Sequence, residues 1–198
     1  MQPEYTNTLL ISPSELKSES LINSNTDDKT LSNMVTTTQE IYLVKITGTP
    51  LLRKLQELVY NEVKGLPDSI TQAGNEHYLD LLENYVKPFI KYHALKSFVV
   101  ENSFKFRNAG VVRVSDTNMN YSSVDDIKFL QQHFSTYIAE YEDRLSKYLC
   151  SNKSNFPELQ AEIPSYMDTP SVGKEYSNTG GLWLGPRRKN NSSKCNGC

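Results

Sequence analysis

Cys195-Asn196-Gly197-Cys198 is the first place to look for chemistry, because a C-x-x-C pair is half of a thiolate metal site. A structural zinc ion takes four ligands, usually from two such pairs. The only other cysteine is Cys150, in a helical stretch, and His77, His93 and His133 are scattered over two predicted helices. This spacing completes no ligand set, so free thiols and no metal are expected. A Cys–His nucleophilic site requires only that its partners meet in space, which keeps a small Cys/His enzyme as one alternative. Each histidine also has a plainer reading. His93 falls on the most apolar predicted helix as a core residue, His77 at a helix start, and His133 beside an apolar stripe. Glu57, Glu62, Glu76, Asp80 and Glu83 put carboxylates on helices, but no Glu-x-x-His pair of a di-metal bundle site occurs. They read as solvated faces. No catalytic residue, cofactor or metal is assigned, and the chain is not expected to be an enzyme.

Gly180-Gly181-Leu182-Trp183-Leu184-Gly185-Pro186-Arg187-Arg188-Lys189 carries a different kind of chemistry. Its glycine pair is not a phosphate-cradling loop, because no Gly-x-x-x-x-Gly-Lys follows a strand. An apolar plug beside a basic patch has the composition of an interface anchor, with Trp183, Arg187 and Arg188 as its contacts. The second alternative is a DNA-associated regulatory protein whose basic terminus lies on phosphates.

The bulk properties bound these readings. At 198 residues the expectation is one domain with extensions. Residues 1–150 hold 15 Lys and Arg against 19 Asp and Glu, and residues 151–198 hold 6 against 4, with no acid after Glu175. A net charge of −2 is not that of a basic nucleic-acid binder. The opening MQPEYTNTLL has neither the basic start nor the apolar core of a signal peptide. No apolar run approaches the roughly 20 residues of a membrane span. An odd cysteine count argues against a disulfide framework, so a soluble protein of a reducing cytoplasm is expected.

The elements follow from periodicity. Ser12-Pro13-Ser14-Glu15 predicts a short capped turn, with Ser12 as N-cap, Pro13 at the first position and Glu15 as capping-box partner. Thr26 or Asp27 starts a first long helix, about 28–46, with Leu31, Met34, Val35, Ile41, Tyr42 and Ile46 as its stripe. Gly48 stops it, and Thr49 and Pro50 open a second helix striped by Leu51, Leu52, Leu55, Leu58, Val59 and Val63, ended by Gly65. Asn75 can cap a third, central helix over about 76–102, with a kink near 84–88 at Pro88. Phe104-Lys105-Phe106, a turn at 107–110, and Val111 to Val114 read as a β-hairpin, which would be marginal alone. Ser123 caps a last helix of about 124–150, striped by Ile127, Leu130, Phe134, Tyr137, Ile138, Tyr141, Leu145, Tyr148 and Leu149. Residues 151–198 lack periodicity but carry spaced apolar anchors, Phe156, Leu159, Tyr166 and Trp183. The expected fold is mainly α: an N-terminal segment 1–26 with a short helical turn, a helical bundle 27–150 with a hairpin at about 104–114, and an extended C-terminal arm 151–198. The candidate interface residues are Phe104, Phe106, Val112, Val114, Phe156, Tyr166, Trp183, Arg187 and Arg188.

Four stretches together, Ile11 to Lys17, Leu21 to Lys29, Gln39 to Tyr42 and Gly48 to Leu51, continuing to Tyr85-Val86-Lys87-Pro88, resemble the head-to-tail connector (adaptor) proteins of tailed bacteriophages, nearest to those of crAss-like and other Bacteroides phages. The likeness covers roughly residues 9–100 and leaves out the hairpin and the arm. It implies a helical structural protein of the virion head–tail junction, made in the host cytoplasm. It also implies a homo-oligomeric ring, usually of twelve, that touches the portal and tail proteins and lets DNA pass without sequence-specific binding. A mildly acidic body suits such a conduit, because a strongly basic lumen would hold phosphates.

Overall fold

A computed structural model describes residues 4–20, 22–107, 110–113 and 123–159. The fold is mainly helical. A 3-10 turn at Glu4–Asn7 leads into α1 (Pro13–Ser18), followed by α2 (Asp28–Thr37), a π-helical turn (Thr38–Leu43) and α3 (Val44–Lys64). Then come α4 (Glu76–Leu81), a second π-helical turn (Leu82–Val86), α5 (Lys87–Ser103), the strands β1 (Phe104–Arg107) and β2 (Gly110–Arg113), and α6 (Val124–Ser151). Two 3-10 turns, Lys153–Asn155 and Pro157–Leu159, end the described chain.

Local sequence explains most of the ends. Ser12 Oγ accepts the Glu15 N–H at 3.1 Å with Pro13 at the first position. The Glu15 carboxylate does not close the expected capping box; it turns to Lys87 on α5, at 2.6 Å. Asp27 caps α2 by accepting the Thr30 N–H at 2.9 Å. Gly65 ends α3 in the left-handed region, φ 64, where a side chain would be strained. Asn75 does not cap α4. Its amide donates to Asp68 and to the Ser69 carbonyl, tying the loop to itself. At α6, Ser123 and Asp126 form a reciprocal capping box.

The helices depart from the simple pattern at three points. The helix expected over 28–46 contains the π turn. Thr38 Oγ1 donates back to the Met34 carbonyl at 2.9 Å, a bond that bends helices. The wider turn holds an extra residue and rotates the helical residues beyond it. Gln39, four residues after buried Val35, enters the core at 1% exposure, while Ile41 and Tyr42, expected inward, are 47% and 42% exposed. At Gly48 the chain bends with φ 74 and ψ 162, and helical backbone resumes through Pro50. Beyond it Leu51, Leu52, Leu55 and Leu58 are fully buried, whereas Val63, expected in that stripe, faces solvent. The disturbance at Pro88 takes the form of the second π turn, just before it. Proline has no N–H to return to the Asn84 carbonyl, and its ring crowds that oxygen; a widened turn relieves both.

α5 and α6 pack antiparallel. Tyr85 stacks on Tyr148 at 4.2 Å, and further along α5 Tyr92 meets Tyr137 and Tyr141, at 4.8 and 5.4 Å. β1 and β2 pair antiparallel at the far end of this helical pair, with Phe104 opposite Arg113 and Phe106 opposite Val111. The core joins α2 to α6 and both flanking segments. Leu10, Ile11, Leu16 and Ile22 from the N-terminal stretch belong to it, and so does Phe156.

Phe156 corrects the reading of the arm. It is fully buried, edge-on to Tyr78 at 5.4 Å, and Tyr78 Oη donates to Glu158 at 2.9 Å. Residues 152–159 are therefore part of the bundle, and Phe156 fills its own chain's core and no interface. α6 brings the chain back beside α4, so an apolar residue just past its end has a surface to hand.

Candidate interface

Two sets of residues stand out, one polar and buried, the other aromatic and exposed.

The polar set clamps the N-terminal segment. Gln39 Oε1 accepts the Leu10 N–H at 2.8 Å and its Nε2 donates to the Thr8 carbonyl at 3.1 Å. Gln56, fully buried on α3, donates to the same carbonyl at 3.2 Å. Arg53 donates to the Thr6 carbonyl at 3.2 Å and to both oxygens of Glu40, at 2.8 and 3.0 Å. Tyr60 donates to Glu4 at 2.7 Å. Most of these bonds hold main-chain atoms, so the clamp fixes a path for the segment and needs few particular side chains from it.

The aromatic set lies on the outer face of α6. Phe129 is 67% exposed and Tyr137 40%. His133 sits between them, parallel to Phe129 at 6.4 Å and edge-on to Tyr137 at 4.9 Å. Spacing of four residues lines these rings up along one side of the helix. The opposite side buries Ile138, Leu145 and Leu149 in the core. In the N-terminal half of α6 Ile127 alone is buried, and it stands apart from the main core. That half of the helix thus carries apolar surface that its own described chain does not cover.

The residues considered for catalysis are dispersed. His93 is sandwiched between Tyr42 at 4.4 Å and Phe89 at 4.6 Å. Burial, helped by nearby Lys96, pushes its pKa down to about 4. His77 faces Asn155 at the start of α4, and His133 belongs to the aromatic strip. Cys150, at the end of α6, is disulfide-bonded. The carboxylates serve the fold. Glu83 pairs with Lys87 at 2.7 Å, Glu62 accepts from Thr71 at 2.6 Å, Asp80 accepts from Asn84 at 2.7 Å, and Glu76 accepts the Gly74 N–H. Among the described residues no group of three or more His, Cys, Asp or Glu could hold a metal ion, and no helix is long and apolar enough to cross a membrane.

Of the interface residues expected from sequence, Phe104, Phe106 and Val112 lie on the paired strands. Val114, Tyr166, Trp183, Arg187 and Arg188 lie outside the described residues. Sequence reasoning missed Phe129 and His133 as partners of Tyr137. Their four-residue spacing, on the side of α6 away from Ile127 and Ile138, was the available signal. The clamp left no comparable trace, since a buried glutamine reads as a surface residue.

The architecture is that of a mainly helical bundle with an antiparallel helix pair, tipped by two short strands and bearing an aromatic strip that the described residues leave exposed. The chain belongs to the Family of unknown function (DUF6712), which matches residues 43–164. No curated protein and no solved structure matches it.

Proposed function

We propose that this protein is a structural subunit that self-associates through the outer part of the α5–α6 pair, as the ring-forming head-to-tail connector subunit that its sequence resemblance implies. In that role it joins the portal to the tail around a DNA channel and performs no catalysis. The observation that carries the reading is the strip Phe129–His133–Tyr137, with Phe129 67% exposed on a helix whose other side is core. Large aromatic groups left in water beside a well-packed bundle mark an interaction surface. A pair of strands has two edges that invite further pairing, and here they cap the same helical pair. In a ring those edges would meet a neighbour or an adjoining ring.

Mass photometry of the full chain over a wide concentration range, alone and with its portal, tests this. A closed oligomer should form, and Phe129→Ser with His133→Ser should shift it to monomer while the circular dichroism spectrum is unchanged. A wild-type chain that stays monomeric under all these conditions, or a double variant that assembles normally, overturns the reading.

A further inference from the structure

The aromatic strip is bracketed by acid. With 3.6 residues per turn, Asp126, Phe129, His133, Tyr137 and Glu140 fall along one line of α6. Lys147 is bound directly by Asp143, one turn on, and also feels the charge of Glu140, which makes no direct hydrogen bond or ion pair with any described residue. The strip therefore offers flat aromatic rings followed by a carboxylate that no described side chain bonds directly.

The sequence contains a segment of matching order. In Gly180 to Lys189 an indole stands between a glycine pair and Pro186-Arg187-Arg188-Lys189, in the part of the chain that holds no acid. Proline fixes its own φ and pushes the residue before it toward extended backbone. Extended chain carries Arg187 about 13 Å from Trp183, at roughly 3.3 Å per residue. Along α6 the distance from the midpoint of Phe129 and His133 to Glu140 is also about 13 Å, at 1.5 Å per residue. An indole on the two rings and a guanidinium on Glu140 are thus satisfied together. From Leu159 to Trp183 is 24 residue steps, which span up to about 80 Å when extended.

We propose that residues 180–189 of one copy dock on the strip of a neighbouring copy, with Trp183 over Phe129 and His133 and with Arg187 or Arg188 on Glu140. The placement in a neighbour rests on the self-assembly proposed above. Each subunit then gives an arm and receives one, which makes the contact head-to-tail, the kind that closes into rings.

Photocrosslinking of the full chain tests this. Phe129 is replaced by p-benzoylphenylalanine, and the protein is mixed with an equal amount of 15N-labelled wild-type protein. After irradiation and trypsin digestion, the residue-129 peptide should be joined to the 15N peptide that contains Trp183. Arg187→Glu with Arg188→Glu should cut that yield about tenfold, and adding Glu140→Lys should restore it. Crosslinks to the unlabelled Trp183 peptide alone mean that the arm lies on its own chain, and overturn the proposal. Oligomers that form without any crosslink to the Trp183 peptide overturn it while leaving self-assembly standing. A chain that neither oligomerises nor crosslinks between copies overturns both.

Discussion

Gln39 and Gln56 donate to one and the same oxygen, the carbonyl of Thr8, from two helical segments that the bend at Gly48 brings together. Gln39 also accepts from Leu10, so a single amide satisfies both a donor and an acceptor of the N-terminal backbone. The segment's path and the placement of Gln39 and Gln56 therefore depend on each other.

Replacing Gln39 with alanine strands the Leu10 N–H and removes one of the two donors to Thr8. A buried backbone group without a partner costs about 1–3 kcal/mol. Urea unfolding of Gln39→Ala should show a lower midpoint with an unchanged m-value, and amides around Leu10 should exchange faster.

Phe156→Ala should destabilise the isolated monomer by about 3–5 kcal/mol, the usual cost of truncating a buried phenylalanine. Phe129→Ala should change monomer stability by less than about 0.5 kcal/mol, as for exposed residues elsewhere. Chemical denaturation of both variants separates the core aromatic from the strip aromatic; equal effects would contradict the two placements.

Gly48 adopts φ 74 with ψ 162, a combination closed to residues with a Cβ. Gly48→Ala should cost about 1–3 kcal/mol and lower Tm, with the loss in the packing of Gln39 against Gln56 visible in proteolysis of the N-terminal segment.

His93 carries a pH signature. Its pKa is pushed down to about 4 in the fold from an ordinary 6.5, so between these values the unfolded chain binds the proton that the folded chain refuses. The stability that His93 contributes is fully present above about pH 6.5 and is lost as pH falls toward 4. Thermal melts over this range should show falling Tm, and His93→Gln should flatten part of the slope. The lowered carboxyls of Asp27, Asp68 and Glu76 act in the same direction at the acid end of the range, and remain in the variant.

Replacing residues 104–114 with a Gly/Ser linker should leave helical content and monomer Tm nearly unchanged, because among the described residues the strands pair with each other and with no other strand. Ring formation, followed by mass photometry, should weaken. Normal assembly of this variant would remove the strands from the interface.

The features that sequence made legible are local ones. Ser12 with Pro13, Asp27, Gly65 and the Ser123 cap each act within a few residues, and each stands where spacing places it. The π turns were hidden, because helical periodicity assumes the regular turn that they interrupt. The clamp was hidden because its bonds to the N-terminal segment join residues 29 to 56 positions apart. Phe156 shows a third limit: its need for an apolar surface was readable, but whether that surface belonged to its own chain depended on where α6 returns.

The π turn at Thr38–Leu43 also bears on how relatives of this chain would be compared. It is a helix holding one residue more than its hydrogen bonding requires. A relative shorter by one residue there would regain regular α-helix without losing the connection to α3. What it would lose is the phase between Gln39 at the start of the turn and Tyr42, stacked on His93, near its end. A single-codon gap at this place therefore separates chains that keep the N-terminal segment clamped from chains that must hold it in another way.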